Sequence, residues 1–295
     1  MSTEGIDPAY AGLDTWETER ILRAITASNL RAVQAVEAAV PALTRAAEGV
    51  EGRLAAGGRL VYVGAGTSGR LAVMDAAELA PTFGYDDAVV LMAGGDDAQV
   101  RAKEGAEDDV DAAVADLEGA GVGSRDAVVG IAASGRTPYT VAAVERAKEL
   151  GAFTVGIANN HGSRLLAVAD VGVLLDTGPE VLAGSTRLAA GTAQKVALNA
   201  LSTAVMVRLG GAYDNLMVGM RPLNAKLVER AAGIVAKATG RDVEAARGLL
   251  AASGRDMRVA IVMGLTGAEA EAARAAVTAS GGRVRAAVAA LRERG

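Results

Sequence analysis

The sequence predicts an α/β protein: a three-layer α/β/α sandwich around a parallel sheet, followed by a small C-terminal helical bundle. From residue 57 onwards, short apolar segments alternate with helical patterns, the order that gives parallel strands joined by crossover helices. Two of these strands end in turns rich in glycine and hydroxyl side chains. After residue 240, apolar residues recur at helical spacing between glycines. A chain of 295 residues that is 51% hydrophobic is long enough to bury such a core.

The pattern divides the chain into three segments. Residues 1–56 are predicted to form an extended polar arm and then two or three helices, broken near Asn29 and Pro41. Such a helical layer covers a sheet or forms a subunit interface. Residues 57–240 are predicted to form the α/β domain. Residues 241–295 are predicted to form a separate small domain of three short amphipathic helices.

The composition excludes several classes of site. The chain has no cysteine, so disulfides, thiol nucleophiles and cysteine metal sites cannot form. A single histidine cannot supply a two-histidine metal site, and the segment NNHGS around His161 predicts a loop residue at the rim of the sheet. Proton transfer must therefore come mainly from carboxylates, lysine or tyrosine. We expect no metal and no cofactor.

Charge and hydropathy restrict the partners. The net charge is −5 with acidic and basic residues interspersed, which argues against a nucleic-acid-binding surface. The N-terminal sequence MSTEGIDPAY shows no basic-then-apolar signal, and no apolar run has the length of a membrane span. We expect a soluble, cytoplasmic protein that binds neither nucleic acid nor a membrane.

The first strand–turn–helix unit reads RLVYVGAGTSGRLAVMDAAEL. Residues 59–63 predict a buried strand, residues 64–69 a turn, and residues 71–79 a helix. The N–H groups at the start of this helix, beside Thr67 and Ser68, suit an anion such as phosphate; the alternative is a capped helix without a ligand. The turn is not followed by the Gly-Lys-Ser/Thr of a nucleoside triphosphate-binding loop. The acidic residue that would bind the ribose of a dinucleotide comes later in the sequence than such a site requires.

A second unit repeats this arrangement. Residues 126–132 predict a strand, ASGRT at 133–137 a turn, and Pro138 the start of a helix. Three further strands are predicted, over residues 88–92, 153–159 and 170–176. Since the carboxyl ends of parallel strands meet at one edge of the sheet, we expect the turns to converge there. Hydroxyl-rich turns without a nucleotide motif predict a phosphorylated small molecule as the ligand.

Two later segments carry polar residues in informative places. The acidic segment KEGAEDDVDAAVADLEGAG is predicted to be a solvated helix start, where carboxylates favour the helix dipole. A third hydroxyl loop, at Ser185 and Thr186, precedes a long apolar helix that is predicted to be buried. Gln194, Lys195 and Asn199 interrupt this helix, and they either bind other parts of the protein or face a ligand.

Four segments, in order, resemble the N-acetylmuramic acid 6-phosphate etherases, a family with the sugar isomerase (SIS) fold. They are GAGTSGRLAVMDAAELAPTFG, EGAED, GIAASGRTPYTVAA and PEVLAGSTRLAAGTAQKVALNALSTA. The similarity runs from about Gly57 to Gly240 and is weaker on either side. The resemblance implies a homodimer that cleaves the lactyl ether of N-acetylmuramic acid 6-phosphate, giving N-acetylglucosamine 6-phosphate and D-lactate, in amino sugar metabolism.

The family's two catalytic acids carry over onto Glu78 in DAAELAPTFG and Glu107 in EGAED. The resemblance implies that Glu78 assists the departing lactate and that Glu107 is the partner base. Glu180 is a rival, because sugar isomerases of this fold carry a proton-shuttling glutamate just before the same Ser-Thr. The residues implied in binding the phosphate and the sugar are Gly66, Thr67, Ser68, Ser134, Gly135, Thr137 and Glu180, with Ser185 and Thr186 near the sugar.

The chain departs from the family pattern in two places. Where the family usually has Ser-Glu-Cys-Pro-Pro, this chain has Ala77-Glu78-Leu79-Ala80-Pro81, and Asn29 stands where an acidic pair is common. Two alternative functions stay open. One is a regulator like the glucokinase regulatory protein, which binds sugar phosphates without turnover; the other is an aldose–ketose phosphate isomerase. The presence of both glutamates favours the etherase.

Overall fold

The computed structural model describes residues 3–101, 103–222 and 224–293, so Met1 and Ser2 of the predicted arm lie outside it. Its main sheet is built from five strands: β1 (Leu60–Gly64), β2 (Val89–Met92), β3 (Ala127–Ala132), β4 (Phe153–Ala158) and β5 (Val171–Leu174). All pairings are parallel, in the order β2–β1–β3–β4–β5. These five strands confirm the sequence prediction to within a residue or two at each end.

The chain forms two compact units. The α/β unit contains Met1–Ala76 and Asp87–Ser202, and the helical unit contains Ala77–Asp86 and Thr203–Gly295. The first seven helices are α1 (Thr18–Ala38), α2 (Val40–Ala55), α3 (Gly66–Phe83), α4 (Val110–Gly119), α5 (Pro138–Glu149), α6 (Arg164–Val168) and α7 (Ala189–Met206). No helix among the described residues is long and apolar enough to cross a bilayer.

Helices cover both faces of the sheet. Successive side chains of a strand point to opposite faces. On one face, a Cβ added to Gly130 of β3 would lie 2.5 Å from the side chain of Val144 in α5, so helix and strand touch there. On the other face, the ring of Phe153 in β4 packs directly on Gly49 of α2. The result is the predicted three-layer α/β/α sandwich.

Helix α1 runs without interruption through Asn29, so the predicted break there is wrong. The Asn29 Oδ1 accepts a hydrogen bond of 2.9 Å from the Thr192 hydroxyl, and Ala32 on the same helix is fully buried. These tertiary interactions outweigh the low helix propensity of asparagine. The break predicted near Pro41 is confirmed, since α2 begins at Val40 with this proline in its first turn.

The helical unit contains a short hairpin and five more helices. These are β6 (Ala212–Tyr213), β7 (Leu216–Met217), α8 (Ala225–Thr239), α9 (Val243–Ala252), α10 (Met257–Thr266), α11 (Ala270–Ala279) and α12 (Val284–Arg292). Among the described residues, four helices therefore follow residue 240, where the sequence predicted three. Left-handed glycines, among them Gly254 and Gly267, separate these short helices. Helix α8, which the sequence assigned to the α/β domain, belongs to the helical unit, because Val235 shares a core with Leu250.

An ion pair between the buried Asp126 and the partly exposed Arg59 lies at the amino-terminal edge of the sheet. Asp126, which is 5% exposed, accepts hydrogen bonds from the Arg59 backbone N–H (2.9 Å), the Arg59 guanidinium (2.9 Å) and the Gly123 N–H (3.1 Å). Burial alone would raise the pKa of Asp126, but these bonds and the Arg59 charge hold its pKa below the ordinary value of 3.8.

We expect Asp126→Asn to lower the free energy of unfolding by about 2–3 kcal/mol at pH 7, less than for a fully buried pair because Arg59 is partly exposed. A carboxylate whose pKa is depressed by folding stabilises the protein above its unfolded pKa and loses this effect as pH falls through its folded pKa. The difference between wild type and variant should therefore shrink below about pH 4. Urea unfolding at several pH values tests this; a difference that grows as pH falls would contradict it.

Candidate active site

The predicted turns lie at the carboxyl ends of the strands. The turn after β1 leads into α3, and close packing shapes it: a Cβ added to Gly69 would lie 3.0 Å from the Gly64 carbonyl oxygen, and Gly66 has a left-handed φ of 54°. Glycine is therefore favoured at both positions, by the close approach at Gly69 and by the left-handed conformation at Gly66. The first N–H groups of α3 have no acceptor within the helix and are available to an anion.

The turn after β3 is equally constrained. Gly135 has a left-handed φ of 63°, and a Cβ at this position would lie 2.2 Å from the Ser163 hydroxyl oxygen. Thr137 is the residue before α5, yet its side chain does not cap the helix. The Ser134 hydroxyl accepts a hydrogen bond of 3.2 Å from the Arg136 N–H. The turn thus presents a second helix start beside two hydroxyl groups.

A chain of amide and hydroxyl groups connects these strand ends. Ser68 donates to Gln194 Oε1 of α7 at 2.8 Å, and Gln194 Nε2 donates to Asn159 Oδ1 at 3.0 Å. Asn159, which follows β4, donates in turn to the Leu175 carbonyl after β5 at 3.0 Å. All three side chains are buried, so these bonds satisfy groups that would otherwise be costly. The sequence left open whether Gln194 faces a ligand; it binds other parts of the protein.

The remaining predicted hydroxyl groups have unused bonding capacity. Within the described part of the chain, the side chains of Thr67, Thr137, Ser185 and Thr186 form no hydrogen bond with another residue. They contrast with Ser68, whose hydroxyl is committed to Gln194. These four hydroxyl groups are therefore better placed than Ser68 to donate side-chain hydrogen bonds to a bound molecule.

Glu180 has a role that the sequence did not predict. Its side chain is 1% exposed, and its two carboxylate oxygens accept hydrogen bonds of 2.9 Å from the N–H groups of Ala189 and Ala190. These are the first two residues of α7, so Glu180 caps the positive end of this helix. Both carboxylate oxygens of Glu180 are therefore engaged in structural hydrogen bonds to α7.

A cavity of about 200 Å³ brings the first turn and Glu107 together. Gly66 at the start of α3 lies on one side, and Glu107 lies on another, in a 3₁₀ turn before α4. Arg70 and Lys103 also line it, and the Arg70 guanidinium donates to two backbone carbonyl groups, including that of Ala98 at 2.9 Å. The cavity therefore combines a helix start, two exposed carboxylates (Glu104 and Glu107) and two cations. The sequence analysis gave neither cation a role, although Arg70 directly follows the turn GAGTSG and Lys103 directly precedes EGAED.

Glu78 lies in the helical unit, on α3. Its side chain is exposed, whereas the neighbouring Leu79 is 2% exposed and belongs to the core. Pro81 lies inside the same helix and lacks the N–H that would bond the Ala77 carbonyl. The altered segment around Glu78 is nevertheless helical, and the carboxylate of Glu78 is accessible to solvent.

One buried carboxylate lies among the strand and helices that carry these groups. Asp75 of α3 is 3% exposed. It accepts hydrogen bonds from the Tyr62 hydroxyl of β1 at 2.7 Å and from Asn199 and Ser202 at 2.6 and 3.2 Å. Asn199, which the sequence left between two roles, is thus part of the internal network, while Lys195 on the same helix is exposed.

Other titratable groups take no part in this arrangement. His161 lies in an exposed loop, as predicted, with its Nε2 2.7 Å from Asp176 Oδ2. Burial, together with a hydrogen bond to Asp116, raises the pKa of Tyr139, so this phenol stays protonated. Within the described ranges, no group of three or more His, Asp or Glu side chains is arranged to hold a metal ion.

Comparison with known proteins agrees with this architecture. Residues 42–148 match the N-terminal SIS domain of the glucokinase regulatory protein, and residues 109–204 match the SIS domain family. Among solved structures, a protein of E. coli CFT073, solved as a complex, has a TM-score of 0.51 at 20% identity, covering 68% of this chain and 97% of its own. A phosphoheptose isomerase from Francisella tularensis also gives 0.51 at 19% identity, covering 65% and 100%. At these identities the similarity shows the fold alone.

Full-length relatives are much more similar. The N-acetylmuramic acid 6-phosphate etherase of Deinococcus radiodurans is 52% identical over 263 residues, covering 88% of this chain and 86% of the relative. That of Rubrobacter xylanophilus is 49% identical over 264 residues, covering 89% and 88%. A match of this length includes most of both units. This chain belongs to the N-acetylmuramic acid 6-phosphate etherase family.

Proposed function

We propose that this protein is a carbon–oxygen lyase that cleaves the D-lactyl ether of N-acetylmuramic acid 6-phosphate. The products are N-acetylglucosamine 6-phosphate and D-lactate, and one water molecule is consumed. The observation that carries the proposal is the identity of 52% with an etherase over most of both chains. The cavity shared by the α3 start and Glu107 supports it, because it offers a phosphate site and a carboxylate in one place.

The proposed reaction uses carboxylates alone. In the open-chain aldehyde, the C1 carbonyl acidifies the C2 proton, which Glu107 removes. The C3–O bond then breaks, and Glu78 protonates the departing lactyl oxygen. Water adds to C3 of the unsaturated aldehyde and a proton returns to C2, which restores the saturated sugar. One group must accept a proton while the other donates, a division that paired carboxyl groups provide in other enzymes.

We propose that the phosphate binds at the starts of α3 and α5. Backbone N–H groups around Gly66 and Gly135, with the hydroxyl groups of Thr67, Ser134 and Thr137, would hold its oxygens. Ser68 would contribute its backbone N–H, because its hydroxyl is bonded to Gln194. The unpaired hydroxyl groups of Ser185 and Thr186 are proposed to bind the sugar.

The two alternatives are less well supported. An isomerase of this fold needs a glutamate free to move a proton, and the carboxylate of Glu180 is buried and bonded twice to α7. A regulator that binds without turnover needs neither Glu78 nor Glu107, and both are present with exposed side chains. The reaction products distinguish the three functions.

The direct test is to incubate the purified full chain with N-acetylmuramic acid 6-phosphate and to measure D-lactate and N-acetylglucosamine 6-phosphate. We expect the two products in equal amounts, with one solvent oxygen at C3 when the reaction is run in ¹⁸O-labelled water. A ketose phosphate formed without lactate would favour the isomerase. Binding of the substrate without any product would favour the regulator.

We also propose that the protein acts as a homodimer in the cytoplasm, where a charged sugar phosphate is retained because it cannot cross a bilayer unaided. Helix α1 supports the dimer. Leu22, Leu30 and Val33 are 59%, 64% and 46% exposed and lie on one side of this helix. A row of exposed large apolar side chains is typical of a protein–protein interface.

We expect Leu30→Glu combined with Val33→Glu to convert the dimer to a monomer, because it places two charges in the apolar contact. Light scattering coupled to size-exclusion chromatography measures the mass. Val100→Glu is the matched control, since Val100 is 87% exposed and lies outside α1. A wild-type mass of one chain, or a dimer that survives the double substitution, would contradict the proposed interface.

A further inference from the structure

The helical unit contains a second cavity, of about 530 Å³, that the proposed reaction does not use. Its walls come from the end of α3 at Phe83 and Gly84, from the segment after β7, from the loop between α9 and α10, and from α11. All of these belong to the helical unit. The volume lies in the range of small-molecule binding sites.

Four guanidinium groups line this cavity, at Arg221, Arg255, Arg258 and Arg274. Asp256 is the single carboxylate among its lining residues. The Asp256 Oδ1 is already bound, because it accepts hydrogen bonds from the N–H groups of Arg258 (2.9 Å) and Val259 (3.3 Å) at the start of α10. The cavity therefore has an excess of positive charge in a chain whose net charge is −5.

Much of the donor capacity of these arginines is unused. The Arg258 Nε is buried and has no hydrogen-bond partner among the described residues, and its separation of 3.6 Å from Asp256 Oδ1 is too long for a hydrogen bond. Arg274 donates to the Ser253 carbonyl through one terminal nitrogen, and Arg221 is bound to Asp86 and to the Gly84 carbonyl. Since each guanidinium has five donors, most remain free for a ligand.

One of these arginines, Arg255, has a strained backbone conformation. Arg255 has a left-handed φ of 68°, an uncommon conformation for a residue with a side chain, and it follows Gly254 at 70°. A glycine at position 255 would adopt this conformation without strain. An arginine held there directly at the wall of a cationic cavity is consistent with a side chain retained for binding.

We propose that this cavity of the helical unit binds a phosphorylated small molecule. Guanidinium groups bind phosphate oxygens in pairs, and a phosphate monoester near neutral pH carries about two negative charges, which suits several arginines better than a single carboxylate does. The volume exceeds that of a phosphate ion and leaves room for an organic group attached to it. The proposal does not rest on the proposed reaction.

Arginine modification by phenylglyoxal, mapped by mass spectrometry on the full chain, tests the proposal residue by residue. The probe is pyrophosphate, compared with sodium chloride at equal ionic strength so that general screening is matched. We expect pyrophosphate to slow modification of Arg255 and Arg274 by about tenfold. Arg285, which is exposed on α12, should be unaffected. Arg70 reports separately on the candidate active site, so failure of one site is distinguishable from failure of the other.

Two variants complete the test. Arg255→Gly with Arg274→Gln should weaken pyrophosphate binding in the helical unit by about tenfold or more, while Arg285→Gln should leave it unchanged. Arg255→Gly relieves the left-handed strain, so this variant is expected to fold, which circular dichroism verifies. Equal protection by pyrophosphate and sodium chloride would overturn the proposal. Protection by citrate equal to that by pyrophosphate would overturn the assignment to a phosphate.

Discussion

Glu107→Gln is expected to reduce D-lactate release from N-acetylmuramic acid 6-phosphate by about 10²–10⁴-fold, the usual contribution of a general base. Glutamine has nearly the same shape as glutamate but cannot accept the C2 proton. Glu107 is exposed in a short 3₁₀ turn, so the substitution should not affect stability. Substrate binding should persist, because the phosphate is expected to bind through the helix starts rather than through this side chain.

Glu78→Gln is the informative companion, since the two glutamates are proposed to act in different steps. Hydrogen exchange at C2 of the substrate in D₂O reports the first step alone. We expect the Glu78 variant to lose lactate release but to retain hydrogen exchange at C2, because the proposed base, Glu107, is intact. The Glu107 variant should lose both. The reverse result would exchange the two roles, and full activity in either variant would remove that residue from the mechanism.

Asp75→Ala should be the most damaging single substitution for stability among those considered. It removes a buried acceptor from the Tyr62 hydroxyl, the Asn199 amide and the Ser202 hydroxyl at once. Leaving several buried polar groups without their shared acceptor costs about 3–5 kcal/mol. For a chain of this size we expect the melting temperature to fall by more than about 6 °C.

Asp111→Ala is the matched control for this loss. Asp111 is an exposed acid in the first turn of α4, and its removal should cost at most about 1 kcal/mol, the value of a charge near a helix dipole. Thermal unfolding of both variants, followed by circular dichroism, makes the comparison. A melting temperature for Asp75→Ala within a degree of that for Asp111→Ala would show that the network contributes little.

The sequence predicts the sheet well because its strands are short apolar runs, two of which end at turns rich in glycine and hydroxyl side chains, and these are local signals. The same turns identify the starts of α3 and α5. By contrast, Arg70 lines the same cavity as Glu107 only when the chain folds, and no spacing in the sequence shows this. The two hydrogen bonds of the Gln194 side chain are also long-range: their partners lie at sequence separations of 126 and 35 residues.

The errors in the sequence prediction also arise from contacts between residues that are distant in the sequence. A break at Asn29 follows from local propensity, yet the bond from Thr192 and the burial of Ala32 keep α1 intact. The number of C-terminal helices was wrong because helices of nine or ten residues are marginal by themselves and are recognised from their packing. The assignment of α8 to the α/β domain was also wrong because it overlooked a packing contact. Val235 on α8 lies in the same core as Leu250, so this helix belongs to the helical unit.

The carboxylate of Glu180 acts as a built-in counter-ion. Three long helices, α3, α5 and α7, begin after strands of the sheet, and each start attracts negative charge. At α7 the chain supplies that charge itself, with both oxygens bound to backbone N–H groups. We therefore expect an incoming phosphate to meet helix ends that are not equivalent, because Glu180 already occupies the start of α7. An anion is expected to be drawn toward α3 and α5 before it makes any contact through the rest of the substrate.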